Sequence, residues 1–273
     1  MAYNKGIISP CKEGIVMVIP HLEFNVTIGR QKPESIINTS TKCPFCDRSH
    51  LTNIIDRDGS LMLIKNKYPV LKNTLQTVLI ETDECMSELS LYAPDHLHRL
   101  FRFAFRHWLA MESSGDYRSV LFFKNHGPLS GGTIRHPHMQ IVGLKDVDYH
   151  EALDPSIFEG IPLLEKDGVL LNLSTKPRIG FSEFNVIAKN VDNTDVFADF
   201  VQAAVYYVLY DFIGRSCNSY NIFFYHHNDR YIAKIMPRFA TSPLFIGFGL
   251  PQVSNQLDAV AAHFQERYNT RLS

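Results

Sequence analysis

At 273 residues the chain is long enough for one large domain or two small ones, and it can bury a core without disulfide staples. Hydrophobic residues make up 45% and charged residues 20%, the proportions of a globular protein, and no stretch reaches the roughly 20 apolar residues that span a bilayer. The net charge is −1 with no long basic run, which argues against a surface built for nucleic acid or anionic membrane and leaves room for a small anion held by a few local donors.

Met1 to Pro20 show no charged-then-apolar-then-small cleavage pattern, so a cytoplasmic protein is expected. Of five cysteines, Cys11, Cys85 and Cys217 are scattered and read as ordinary small core or surface residues. Cys43-Pro44-Phe45-Cys46 differs: its spacing lets two thiolates grip one tetrahedral ion, although an inert or redox-active pair has the same spacing. Two further ligands would close such a site. The chain has 12 histidines, and His50, His96, His98, His126, His136 and His138 are all candidates that spacing does not separate.

A helix is expected from Pro94-Asp95, with Leu97, Leu100, Phe101, Ala104, Phe105, Trp108 and Met111 at helical spacing, ending at Ser113-Ser114-Gly115. A mostly buried strand follows at Arg118 to Lys124, then a Gly/Ser/Thr-rich loop from Asn125 to Arg135, then a strand from His136 to Leu144. Residues two apart on a strand share a face, so His136, His138 and Gln140 line one side at steps of roughly 6.5–7 Å. Pro137 has no backbone donor and places this segment at a sheet edge or a strand start. Three polar groups on one face are costly to bury without partners; a solvent-facing polar stripe is the plainer alternative to a functional face. A largely neutral imidazole is a competent nucleophile. The loop before it offers backbone amides and hydroxyls without bulk at Gly127, Ser130, Gly131, Gly132 and Thr133, as a phosphate cradle needs.

The plan then repeats. Thr194 can cap a helix that Gly214 closes, followed by a strand at Tyr220 to Tyr225, a turn at Asn228-Asp229 and a strand at Tyr231 to Met236. A last helix runs from about Ser254 to Tyr268. Helix, strand, turn, strand thus occurs twice, which predicts an α+β chain of two duplicated units. The first, 1–150, carries the chemistry, and the second, 151–273, is a degenerate copy.

Asn125-His126-Gly127, Gly131-Gly132-Thr133 and His136-Pro137-His138-Met139-Gln140 together resemble the active-site segment of galactose-1-phosphate uridylyltransferase and its relatives. Those relatives are the transferase branch of the histidine-triad superfamily, which includes ADP-glucose phosphorylases. Cys43-Pro44-Phe45-Cys46 is similar to the family's first zinc pair. Asn66-Lys67-Tyr68-Pro69-Val70 resembles its nucleotide-binding stretch, and Tyr92-Ala93-Pro94-Asp95-His96 the segment ending in its third zinc ligand. Weaker likenesses lie at Tyr220-Asn221 and Ile235-Met236-Pro237-Arg238.

The resemblance implies antiparallel sheets with packed helices in two histidine-triad-like units. It implies a structural Zn2+ held by Cys43, Cys46, His96 and His136, worth on the order of 10 kcal/mol to the fold. His138 would attack the α-phosphorus of a nucleoside diphosphate sugar or dinucleotide. Gln140 would hold an α-phosphate oxygen, and a sugar 1-phosphate or phosphate would accept the nucleotide. Ser130, Thr133 and Asn125 would contact the phosphates, Asn66 the base or ribose, Arg30 a phosphate from the N-terminal arm, and Gln252 the sugar. A homodimer is usual in the family.

The chain departs from the pattern at Lys67, where an Asp that touches the nucleotide is usual, and at Gly249, where a sugar-contacting Glu is usual. Tyr231, Ala233 and Lys234 do not supply the second metal site of some members, so one metal is expected. These departures leave two other functions open: a zinc-stabilised nucleotide-binding protein without turnover, and a nucleotide hydrolase.

Overall fold

The computed structural model describes residues 21–40, 42–213 and 216–272, with two short strands at Ser9–Pro10 and Val16–Met17. Cys11 and Gly214 lie outside the described residues.

One antiparallel sheet of ten strands organises the chain. The strands are β1 Ile54–Asp58, β2 Leu61–Lys65, β3 Thr74–Ile80, β4 Ser119–His126, β5 His138–Leu144, β6 Gly160–Lys166, β7 Val169–Ser174, β8 Phe184–Ala188, β9 Tyr220–His227 and β10 Arg230–Pro237. Their order across the sheet is β1-β2-β3-β5-β4-β9-β10-β8-β7-β6. Read outward from the β4–β9 junction, both halves follow one plan: the fourth strand, then the fifth, third, second and first. Each half inserts a helix between its third and fourth strands, α1 Pro94–Ser113 and α2 Thr194–Tyr206. The sheet is therefore two copies of one five-stranded unit joined through β4 and β9, where Asn125 pairs with Asn221 and Phe123 with Phe223.

Alternation along the strands sorts the side chains. Met139 and Ile141 of β5, Phe122 of β4 and Phe224 of β9 turn to the helices and enter the main core with Phe101, Phe105 and Trp108 of α1 and Phe197 and Val201 of α2. Phe122 stacks on Phe224 across the junction at 4.0 Å. The last helix, α3 Leu257–Leu272, adds Val260, Ala261, Phe264 and Tyr268 to that core.

His138 and Gln140 therefore sit on the opposite face. On the second unit that face is filled. Lys234, fully buried, donates to the Ile157 carbonyl at 2.9 Å and to Asn185 Oδ1 at 3.1 Å, and pairs with Glu183 at 2.9 Å. Ile157 and Phe158 pack on Ile232 and Tyr225 beside it. The segment joining the units thus covers the part of the degenerate copy's face around Lys234, Ile232 and Tyr225.

Three local expectations shift. The His136–Leu144 strand begins at His138, because Pro137 cannot donate to a ladder and β5 is an interior strand between β3 and β4. Thr194 does not cap α2; it is the first helical residue, and its hydroxyl donates back to the Val191 carbonyl. The α-helical turns of α2 stop at Tyr206 and widen into a π-turn at Tyr207–Asp211.

Candidate active site and metal centre

Cys43, Cys46, Cys85 and His136 bring three sulfurs and one imidazole nitrogen within 4.8 Å of one another. Cys43 and Cys46 flank a tight turn in which the Cys46 amide reaches the Cys43 carbonyl at 3.4 Å. Cys85 comes from the loop after β3, and His136 from the residue pair before β5. Nε2 of His136 lies 2.8 Å from the Thr82 carbonyl, which accepts only from an N–H, so Nδ1 keeps its lone pair and faces Cys46 Sγ at 3.7 Å. Arg48 clamps the assembly by donating to the Ser60 carbonyl (2.6 Å) and the Thr82 carbonyl (3.2 Å) and pairing with Asp83 at 2.6 Å.

This donor set fits a structural zinc ion: soft thiolates, one oriented imidazole and tetrahedral number. Burial pushes the Cys43 thiol up, but hydrogen bonding to His136, to the Phe45 amide and to Cys46 outweighs it and brings the thiol down to about 6. Burial, with Cys46 and Cys43 beside it, pushes Cys85 up to about 12. The ionised Cys43 thiol disfavours ionisation of Cys46 and Cys85 beside it, a conflict that a divalent cation would remove.

The set corrects the expected one at a single position. His96 is not in the group. It lies in the first turn of α1, on the helix that covers the face opposite His138; its ring is edge-on to Tyr92 at 4.8 Å and its Nδ1 is 3.4 Å from Arg99 Nη2. Cys85 takes the place, because the loop after β3 reaches the cluster before the chain turns into the helix.

His136 of this cluster leads directly to His138. Nδ1 of His138 lies 2.7 Å from the His136 carbonyl, so it carries the proton and Nε2 is the free nitrogen. His138 is 8% exposed, and Phe45 from the cysteine turn lies edge-on to its ring at 5.4 Å. Burial pushes its pKa down to about 4, against the hydrogen bond to His136, so the ring is neutral near pH 7.

His138 and Gln140 line a cavity of about 350 Å3 together with Thr133, Asn66, Lys67, Tyr68 and Lys32. The Asn66 side-chain oxygen accepts from the Tyr68 amide at 2.8 Å, which leaves its NH2 group for a ligand. The floor beneath is apolar, with Ile64 and Val78 packed under Phe45 and Leu51. The loop over the cavity is held from two sides. Ser35 donates its amide to the Thr133 carbonyl at 2.8 Å, and Ser130 Oγ donates to the Gly127 carbonyl at 2.7 Å. Gly127 has φ +81, and a Cβ there would lie 2.1 Å from the Asn218 carbonyl, so the loop crosses the second unit at a point that admits only glycine.

Other expected residues are placed apart. Asn125 and Ser130 line a neighbouring cavity on the same face. Arg30 is exposed at the end of the short helix Val26–Gly29 and lines neither cavity; Lys32, two residues further, lines the first and was not singled out from the sequence. Gln252 pairs with Gly180 in a two-residue parallel bridge outside both cavities. A basic cluster in Gly29-Arg30-Gln31-Lys32 was visible, but which residue turns inward was not.

Among the described residues no helix is long and apolar enough to cross a membrane. No curated protein sequence matches the chain. Among solved structures, a DUF4931 family protein from Bacillus cereus ATCC 10987 is 41% identical, with TM-score 0.72, covering 79% of this chain and 99% of that one. A galT-like protein from Arabidopsis thaliana is 16% identical, with TM-score 0.67, covering 90% and 99%. An ADP-glucose phosphorylase from Arabidopsis thaliana with bound ADP-glucose is 15% identical, with TM-score 0.66, covering 89% and 94%. At those identities the last two show the fold, and the fold is the one the motifs implied. Residues 24–147 match the N-terminal domain, and residues 150–269 the C-terminal domain, of the domain of unknown function DUF4931. The chain belongs to the DUF4931 family and has the fold of the galT-like proteins.

Proposed function

We propose that this protein is a nucleotidyl transferase that works through a covalent nucleotide on His138. The observation that carries this reading is the Nδ1 contact to the His136 carbonyl, which leaves Nε2 as the only available nucleophilic atom on a ring lining the cavity. In the first step the Nε2 lone pair attacks the α-phosphorus of a nucleoside diphosphate sugar or dinucleotide. A P–N bond forms, and the P–O bond to the departing sugar 1-phosphate or nucleoside phosphate breaks, the leaving oxygen keeping the electron pair. In the second step an oxygen of a sugar 1-phosphate or phosphate attacks the same phosphorus, and the P–N pair returns to Nε2. The Nδ1 proton stays on the ring throughout, and the His136 carbonyl stabilises the charge on the nucleotidylated imidazole.

Gln140 would hold an α-phosphate oxygen, with Thr133 and Lys32 at the phosphates and Asn66 at the base or ribose. Asn125 and Ser130 would meet the leaving or incoming phosphate. Zn2+ at Cys43, Cys46, Cys85 and His136 would be structural, pinning the residue whose carbonyl orients His138. The functional unit under this reading is a homodimer in the cytoplasm.

Intact-protein mass spectrometry after incubation with a panel of UDP-sugars, ADP-sugars and dinucleoside polyphosphates tests the reading. A mass increment of one nucleoside monophosphate is expected, absent in His138→Asn. A folded, metal-loaded protein that labels with none of the panel refutes it.

A further inference from the structure

Beside the first cavity, on the same sheet face, lies a second of about 590 Å3. Its floor is the junction between the two units: Phe123 and Asn125 from β4, Phe223 and Asn221 from β9, each standing opposite its counterpart. Phe123 is also opposite Gln140, so the two cavities are one strand apart, about 4.8 Å. Asn125 follows the Lys124–Met139 pair and therefore lies beside His138.

The polar lining is ordered by a chain of contacts. Asn221 Nδ2 donates to the Ser130 carbonyl at 3.0 Å, and Arg238 Nη1 donates to Asn221 Oδ1 at 2.6 Å. These two contacts permit one orientation of the Asn221 amide. Its Nδ2 also donates to Asn125 Oδ1 at 2.6 Å, so the NH2 group of Asn125 is left as a donor. Arg178 adds a second guanidinium, and among the described residues no Asp or Glu lines the cavity. The charged groups at this end are therefore both cationic, with the Asn125 amide as a third donor beside the hydroxyls of Ser130, Tyr149 and Tyr225.

That chemistry selects among ligands. A sugar hydroxyl has no charge to meet two guanidiniums. An anion needs donors only, and two guanidiniums with an amide NH2 suit a phosphate. The remainder of the floor is aromatic: Phe123 and Phe223 are half-buried, with rings 6.4 Å apart and inclined at 32°. Two phenyl rings lining the cavity beside an anion site match a flat ring attached to a phosphate.

We propose that the second cavity binds a second nucleotide, its phosphate at Asn125, Arg238 and Arg178 and its base over Phe123 and Phe223. This rests on the reading of His138 as nucleophile and names the acceptor. A terminal phosphate oxygen of the second nucleotide attacks the phosphorus on His138; the new P–O bond forms as the P–N bond breaks toward Nε2. In reverse, the substrate is a dinucleoside polyphosphate that spans both cavities. Asn221 acts as a positioning residue for the Asn125 amide, and Arg238, besides meeting the phosphate, fixes Asn221 through Nη1.

The test is calorimetric titration of full-length, metal-loaded His138→Asn protein with AMP and with UMP. Two sites per chain are expected. Arg178→Glu alone, at an exposed side chain, and Arg178→Glu with Phe223→Ser should each weaken one site at least tenfold and leave the other. Inorganic phosphate should compete at that site at least tenfold less well than AMP. A stoichiometry of one that neither variant changes overturns the proposal, as does a hexose 1-phosphate that occupies the second site as tightly as AMP. Labelling of His138 in the unsubstituted protein is read separately, so failure of the covalent mechanism and failure of the second site give different results.

Discussion

The carbonyl of His136 accepts the Nδ1 proton of His138 at 2.7 Å, while the ring of His136 completes the cysteine cluster. One residue thus faces two ways: its side chain joins the three cysteines and its backbone carbonyl orients the His138 ring. Loss of the metal would loosen the carbonyl that fixes the His138 tautomer.

The ligand set is checked by metal content. The purified protein should hold about one zinc per chain. Cys85→Ala should lose most of it and lower the melting temperature by many degrees, since structural zinc contributes on the order of 10 kcal/mol. His96→Ala should keep its zinc, even though His96 Nε2 is buried without a hydrogen-bond partner. Zinc lost from His96→Ala and retained in Cys85→Ala would reverse the assignment.

Lys32 lines the first cavity, burial lowers its pKa, and no carboxylate pairs with it among the described residues. Lys32→Ala should raise KM for the nucleotide substrate about tenfold or more, the usual loss of a charge-assisted contact. The salt dependence of KM should weaken in the same variant. Steady-state kinetics at two ionic strengths measures both.

Lys234 and Glu183 form a fully buried ion pair that fills the second unit's sheet face. Glu183 also accepts from the Arg178 amide at 2.8 Å and the Ile179 amide at 2.9 Å. Lys234→Met leaves a buried carboxylate without its cation and should cost about 3–5 kcal/mol in denaturant unfolding. Adding Glu183→Gln should recover part of the loss. A near-neutral Lys234→Met would show that water reaches this face.

Stability should fall with acid through His126, which stacks on Tyr220 at 4.9 Å. Burial pushes its pKa down to about 4, with Glu88 pulling the other way. The unfolded chain keeps the ordinary value of about 6.5. Between those values the unfolded state binds a proton that the folded state excludes. The contribution is therefore complete above pH 6.5 and is lost toward pH 4, by about 1.4 kcal/mol per unit. Denaturant midpoints between pH 7.5 and 4.5 should decline accordingly, and His126→Gln should make the slope shallower.

Much of the fold was legible because periodicity reports burial locally. α1 from Pro94 and strands β4, β5, β9 and β10 each announce themselves within a dozen residues, and their repetition exposed the duplication. β2 and β7 did not stand out. Leu61–Lys65 is almost wholly buried and carries a short apolar run without alternation, which does not distinguish a strand from a helix turn. The Cys43–Cys46 pair and the His136–Gln140 stretch were legible for a different reason: ligands close in sequence must be close in space.

Cys85, Lys32 and the second cavity could not be read that way. Cys85 is an isolated cysteine far along the chain from its partners, and only the path β2–β3 brings its loop to the cluster. Asn125 and Asn221 meet because two units join edge to edge. The sequence by itself determined the element pattern and pointed to His138 and to the Cys43–Cys46 pair, since each stands out within one segment. Tertiary structure decided that Cys85 joins Cys43, Cys46 and His136, which basic side chain turns inward and what lies beside His138. Those depend on distances between segments that no local pattern encodes.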